Sequence, residues 1–284
     1  MTAAGGTASI KPIHQDIRFG YFGKFVRNCS AENMLSAIVI AKNEQEMIND
    51  CLVSLQFADE VIVVDSGSTD STKEIARHLG AKVVVSSGRD YSKFRNAGLR
   101  RVSGDWVLYV DADERVSPLL RQEIQEIVSA PPAASAFAIP RKNYYLGKHM
   151  THGGWGDDYV IRLFVRSALR GYKFPLHEQP VFSGEMQKMK NELIHLSHRD
   201  LTSMLDKTLQ FTRYEAELRF KKHHPPVVWW RFIRVMCTEF WHRFVRLSAW
   251  KDGAEGIIDG IFQVYNTFVI YAKLWEKQNE SRRS

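Results

Sequence analysis

Cysteine is scarce: the three in this 284-residue chain, Cys29, Cys51 and Cys237, lie far apart and in no metal-ligand spacing. That excludes a disulfide framework and a cysteine zinc site, and it fits a reducing cytoplasm. The stretch from Met1 to Ser9 is small and polar, without an apolar core of signal-peptide length, so export by that route is not expected. Long apolar runs are lacking too. The most hydrophobic stretch, 257–275, is interrupted by Asp259, Gln263, Asn266 and Lys273, which argues against a membrane span. No internal repeat or low-complexity tract occurs. What is present is a 44% hydrophobic composition, enough for one large α/β domain or a domain with an appended subdomain.

The net charge of +7 implies an anionic partner. From Leu201 onward there are 14 Lys/Arg against 9 Asp/Glu, so most of the excess lies in the last third. No nucleic-acid motif accompanies this charge, and nucleic acid is not an expected partner. Residues 1–33 read as an N-terminal extension.

From Leu35 short apolar runs alternate with amphipathic stretches, as in parallel strands joined by crossover helices. Strands are expected over 36–41, 61–65, 82–86 and 106–110, and helices over 44–56, 71–79 and 91–101. In such sheets ligands bind beyond the carboxyl ends of the strands. Three polar clusters follow those ends: Lys42-Asn43-Glu44, Asp65-Ser66-Gly67-Ser68-Thr69-Asp70 and Asp111-Ala112-Asp113-Glu114. After Pro131-Pro132 the pattern becomes less regular and resembles a substrate-side region. From Asp200 the chain reads helical, broken at His223-His224-Pro225-Pro226 and at Asp252-Gly253.

Asp111 and Asp113, one residue apart past a buried strand, are suited to a hard cation such as Mg²⁺ or Mn²⁺, which would neutralise a leaving pyrophosphate. The same acids read equally well as the opening of a helix, where they favour the helix N-terminus. The Asp65 cluster offers hydroxyls and a carboxylate for a ribose or base, and Ser68 or Asp70 would serve as N-cap of the following helix. Lys93, Arg95 and Asn96 sit on a helix ahead of the acidic pair, positioned either for phosphate oxygens or on a solvated face. A nucleotidyltransferase would carry a glycine-rich basic loop after its first strand, where this chain has Lys42-Asn43-Glu44. A non-catalytic scaffold that keeps the fold is the other alternative.

In order, Ile38-Val39-Ile40-Ala41-Lys42-Asn43-Glu44, Val63-Val64-Asp65-Ser66-Gly67-Ser68-Thr69-Asp70, Arg95-Asn96-Ala97-Gly98 and Leu108-Tyr109-Val110-Asp111-Ala112-Asp113 resemble family 2 glycosyltransferases of the GT-A fold. The resemblance covers about residues 34–200 and implies a catalytic domain of those bounds, followed by a basic, aromatic-rich helical region over 201–284. It implies a nucleotide-sugar donor, a UDP-sugar, held by Ala41, Asn43, Glu44, Asp65, Ser68, Lys93, Arg95, Asn96, Asp111 and Ala112. Asp111 and Asp113 would serve the donor phosphates and a divalent metal, Asp113 being the more direct ligand, and transfer would invert the sugar carbon. Tyr159-Val160-Ile161-Arg162-Leu163-Phe164 with Leu176-His177-Glu178 looks like the branch containing bacterial lipopolysaccharide-core β-glucosyltransferases, implying a glycan or lipid-linked acceptor. Inversion needs a carboxylate base. Glu178 is the first candidate and Asp158 the second, while a hydrogen-bonded or salt-bridged loop is the bland reading of His177-Glu178.

His195 and His198 follow an apolar segment, and His198 is a candidate metal ligand alongside a simple hydrogen-bonded role. Trp155, among glycines, either stacks on an acceptor sugar or anchors its own loop. Between Val227 and Trp250 apolar residues recur at helical spacing opposite Arg231, Arg234, His242 and Arg246. Such a helix suits an anionic membrane surface on the cytoplasmic side, packing on the catalytic domain, or contact with a second copy.

Overall fold

The computed structural model describes residues 33–283 except Arg89 and Arg199; the N-terminal extension expected over 1–33 lies almost wholly outside them. Twelve strands and seven α-helices follow one another among the described residues.

The apolar runs form parallel strands β1 (Leu35–Ala41), β2 (Glu60–Asp65), β3 (Lys82–Val85) and β4 (Trp106–Asp111), in sheet order β3-β2-β1-β4. They are linked by α1 (Ile48–Ser54), α2 (Thr72–His78) and α3 (Tyr91–Leu99). β1, β2 and β4 are buried on both faces, with Val39, Val63, Leu108 and α1 in one core and Ile38, Val64, Tyr109 and α3 in the other. This double coverage is why these strands read as continuous apolar runs. α3 approaches so closely that a Cβ at Gly98 would stand 2.5 Å from Ile38 Cγ2.

The second half of the sheet is mixed. β8 (Tyr159–Val165) lies antiparallel to β4, β6 (Ala136–Tyr145) antiparallel to β8, and β12 (Leu193–His198) parallel to β6. β5 (Glu114–Val116) closes the order against β12, and the short β7 (Lys148–His149) and β11 (Met186–Lys188) flank β6. β9 (Leu169–Lys173) and β10 (Gln179–Phe182) form a separate hairpin. This is the α/β arrangement expected of a GT-A type fold, with a C-terminal helical extension built from α5 (Leu201–Lys221), α6 (Trp229–Phe240) and α7 (Gly253–Arg283).

Three local expectations need correction. Asp111, Asp113 and Glu114 do not open a helix: a turn at Ala112-Asp113 leads into β5, and α4 (Pro118–Ser129) begins four residues later, capped by Ser117. Long-range pairing decides this, since the Leu196 N–H donates to the Asp113 carbonyl and β12 supplies β5 with a ladder. α1 starts at Ile48 rather than at Glu44, because the Glu44 and Gln45 N–H groups donate to Thr72 Oγ1 and Asp70 Oδ2. Ser71, not Ser68 or Asp70, occupies the N-cap of α2; Asp70 accepts from the N–H and hydroxyl of Thr72 instead.

The C-terminal breaks fall where the sequence placed them. α5 ends before His223, which adopts φ +54°, and α7 begins at Gly253 with φ +71°. Between α6 and α7 the chain passes through a π-helical turn, Trp241–Arg246, and a 3₁₀ turn, Ala249–Asp252. Among the described residues no helix is long and apolar enough to cross a membrane.

Candidate functional site

The loops leaving β1 and β2 are knitted together. Asn43, at φ +54°, donates its N–H to Ser68 Oγ and accepts the Thr69 N–H on Oδ1 at 2.8 Å. Asp65, fully buried, accepts the Gly67 and Ser68 N–H groups. Asn43, Asp65 and Ser68 therefore form one rim, with the Glu44 N–H anchored next to it on Thr72, and the Asp65 carboxylate shapes that rim from inside.

At the end of β4 a charged network takes over. Arg95, reaching from α3, donates through Nη2 to Asp111 Oδ1 at 3.2 Å and through Nε to Glu178 Oε1 at 2.7 Å. Its guanidinium also lies over the rings of Tyr109 and Tyr172, at 5.5 and 5.3 Å. Arg162, from β8, donates through Nη2 to Asp111 Oδ2 and to Glu114 Oε1. Glu114 in turn accepts the Asp111 N–H and faces Arg141 at 3.5 Å. Burial opposes the charge on Asp111, but Arg162 and Arg95 outweigh it and hold that carboxyl well below the usual range. Burial likewise works against the charge on Arg95, which Asp111 restores. Both Asp111 oxygens thus carry arginines.

Asp113 is placed differently. Its half-buried carboxylate stands 3.8 Å from His195 Nε2, and His195 Nδ1 bonds Asn143 Oδ1 at 2.7 Å. Asn143 donates to the Trp155 carbonyl and to Asp158 Oδ2, and the Trp155 indole N–H donates to Asp259 on α7 at 2.9 Å. A continuous polar chain therefore runs from Asp113 to the C-terminal helices. Asp158 sits on it, held by Arg141 through Nε and Nη2 at 2.7 and 2.6 Å.

The structure brings Asn43, Asp65 and Ser68 into one rim, and Arg95, Asp111 and Glu178 into one network, with Asp113 and Asp158 linked through His195 and Asn143. Others stand apart. Lys93 is largely exposed and faces Asp90 at 4.0 Å. Asn96 grips the backbone N–H and carbonyl of Tyr172 on β9, where Gly171 at φ +136° leaves it room. His198 meets the Tyr145 ring edge-on at 5.7 Å, while His195 is the histidine beside Asp113. His177, at φ +54°, bonds Glu215 on α5 rather than its neighbour Glu178. Cys51 is buried, and that burial pushes its thiol up to about 12, leaving it inert at neutral pH.

The model of the family described as glycosyl transferase family 2 matches residues 36–204, more than half of the chain. The chain belongs to glycosyl transferase family 2. It is similar to an uncharacterised glycosyltransferase of Rickettsia felis, with 42% identity over 272 residues covering 87% of this chain and 92% of that one. The lipopolysaccharide core biosynthesis glycosyltransferase LpsC of Rhizobium meliloti is 24% identical over 253 residues, covering 86% and 92%. Among solved structures, glucosyl-3-phosphoglycerate synthase of Mycobacterium tuberculosis, with Mn²⁺, UDP and glucosyl-3-phosphoglycerate, matches at 26% identity and TM-score 0.34 over 40% of this chain and 44% of that one.

For a family 2 glycosyltransferase the donor set is informative. Among the described residues no three His, Cys, Asp or Glu side chains form a protein-only metal cage. Mg²⁺-type cations are commonly held by one or two carboxylates together with substrate phosphates, so a lone carboxylate at the strand end still fits one. Arg162, Arg141 and Asn143 are the residues of the network that motif reading did not single out for a role. Arg162 carried a legible signal, a lone cation inside the apolar run Tyr159–Val165.

Proposed function

We propose that this glycosyltransferase moves a hexose from a UDP-sugar, with inversion, to a lipid-linked glycan of the lipopolysaccharide-core class. The observation that carries the donor half is the unequal treatment of the two β4 carboxylates: Asp111 is committed to Arg95 and Arg162, while Asp113, among the described residues, faces His195 and no arginine. Residues 34–200 supply the donor and acceptor sites, and 201–284 form an accessory helical region. The acceptor class rests on the sequence resemblance and on the likeness to LpsC.

In this reading Asp113 would hold Mg²⁺ or Mn²⁺ with His195 as its neighbour, and His198, three residues further along β12, is the candidate for a further ligand. The metal, when bound, neutralises charge on the departing diphosphate. Asp111 orients Arg95 and Arg162 rather than ligating directly. Arg95 Nη1 and Arg162 Nε are buried without a hydrogen-bond partner among the described residues, which supports an anionic ligand at this network. The rim of Ala41, Asn43, Glu44, Asp65 and Ser68 borders the nucleoside, with Asn96 fixing β9 behind it.

Glu178 takes the acceptor hydroxyl proton. Asp158 receives three donors on Oδ2, from Arg141 and Asn143, whereas Glu178 receives Arg95, which it shares with Asp111. Glu178 therefore keeps more of its carboxylate open to an acceptor hydroxyl, and Asp158 serves as a positioning group.

The test is nucleotide release from a panel of UDP- and other nucleotide sugars, with Mn²⁺, Mg²⁺ or chelator, in the presence of lipopolysaccharide-core acceptor. A UDP-sugar should be turned over only with metal. Equal turnover in chelator, or turnover of a non-uridine donor alone, would overturn the donor assignment.

A further inference from the structure

Tryptophans and isoleucines stand in solvent along the C-terminal helices. On α6 Trp229, Ile233 and Phe240 are 78%, 58% and 52% exposed, at i, i+4 and i+11, and Trp241, which opens the π-helical turn next to them, is 61% exposed. On α7 Ile257, Ile261 and Tyr265 are 42%, 57% and 43% exposed, at i, i+4 and i+8. Each set lies on one helical face. The stripes adjoin where Phe232 of α6 meets Phe268 of α7, with ring centroids 5.8 Å apart, while Phe244 packs inward against Gly260. Monomeric proteins seldom expose a contiguous apolar surface of this kind without an occupant.

Charge decides the occupant. Between Val227 and Lys251 there are five Lys/Arg against the single acid Glu239, and Glu239 is spent on Arg243 at 2.7 Å. Arg231 and Arg234 lie over the Trp230 ring at 5.3 and 5.6 Å, and Lys251 lies over Trp250 at 5.6 Å. Indoles flanked by cations match the head-group layer of an anionic bilayer, where rings sit at the interface and charges meet lipid phosphate. A second copy bound through the same face would bring cations against cations.

We propose that α6, the π-helical turn and the first half of α7 form a docking face for an anionic membrane surface. The face is rigidly joined to the catalytic part. Asp252, at its rim, accepts the Thr151 and His152 N–H groups and pairs with both of their side chains. Arg243 donates to the Gly153 carbonyl, and Trp155 bridges Asp259 to the Asn143–His195–Asp113 chain. A docked face thereby fixes the height of the site above the lipid. Its pairing with a lipid-linked acceptor rests on the function proposed above, whereas docking itself does not.

The experiment is co-sedimentation of the full chain with phosphatidylcholine vesicles, with and without phosphatidylglycerol. The chain should pellet with the anionic vesicles and be released by high salt. The combined Trp229→Ser, Ile233→Ser and Trp241→Ser variant should lose about tenfold or more in vesicle affinity, as should Arg234→Glu with Arg246→Glu, with unfolding midpoints unchanged. Equal binding to neutral vesicles, no binding to either kind, or a concentration-dependent dimer abolished by the triple variant would overturn the proposal. A wild-type chain that pellets but turns over no nucleotide sugar would sink the enzymatic reading and leave the docking face standing.

Discussion

The carboxylates at the strand ends and the aromatic side chains of the C-terminal helices are held by opposite means. Around β4, Asp111, Glu114, Asp158 and Glu178 are matched by Arg95, Arg141 and Arg162, partly or fully out of water, each in contact with a group of opposite sign. On α6 and α7 large apolar groups face solvent, and Arg231, Arg234 and Lys251 beside them lie over tryptophan rings. Removing one member of the first region leaves a charge with no counterpart, whereas removing one member of the second changes little within the fold. The first region is paired within the chain except at Arg95 Nη1 and Arg162 Nε; the second carries its apolar groups in solvent.

The largest effect should come from breaking the paired region at its reacting carboxylate. Glu178→Gln, which keeps an oxygen for Arg95, should lower kcat by about 10²–10⁴ with donor KM nearly unchanged, in the range lost with a general base. Asp158→Asn should cost much less, and steady-state kinetics on both variants separate base from positioning group. Next comes Arg162→Ala, which leaves Asp111 with Arg95 alone and Glu114 with Arg141 alone and should destabilise by about 3 kcal/mol in urea unfolding.

A smaller effect tests the same pairing rule at the amino end of the sheet. Buried Glu60 accepts from Lys82, Ser36 and Ser103; burial alone would raise its carboxyl, but these donors win and pull it to about 2, against an ordinary 4.5. A depressed folded value means that the stabilisation is present above about 4.5 and is lost as pH falls toward 2. Glu60→Gln should therefore remove about 2 kcal/mol at neutral pH and flatten the acid limb of the stability profile. Trp155→Phe, which deletes the bond to Asp259, should cost about 1 kcal/mol. Smallest of all, Trp229→Ser should shift stability by less than about 0.5 kcal/mol, because the unpaired region asks nothing of that side chain within the fold.

The four parallel strands were legible because burial on both faces writes them as unbroken apolar runs, and the polar residues just past their ends mark the site edge. Asp111 and Asp113 were legible as a pair, and the resemblance made Asp113 the more direct ligand, but the structural asymmetry between them was not legible. It depends on Arg162, fifty-one residues away on an antiparallel strand whose register no local pattern reveals. Arg95 read first as a solvated helix residue, yet it is buried, since α3 turns it toward Tyr109 and Tyr172. β5 read as a helix start because its pairing partner, β12, comes some eighty residues later. His195 and His198 were indistinguishable by spacing; an irregularity in β12 between Leu196 and His198 separates their surroundings.

In the function proposed for this chain, Asp113, and not Asp111, holds the metal that binds the donor diphosphate. Thermal unfolding of the wild type, Asp113→Ala and Asp111→Asn with UDP, with and without Mn²⁺, addresses it directly. UDP with Mn²⁺ should raise the wild-type midpoint beyond UDP alone. That metal-dependent increment should vanish in Asp113→Ala and persist in Asp111→Asn. An increment that survives Asp113→Ala and disappears in Asp111→Asn would contradict the assignment.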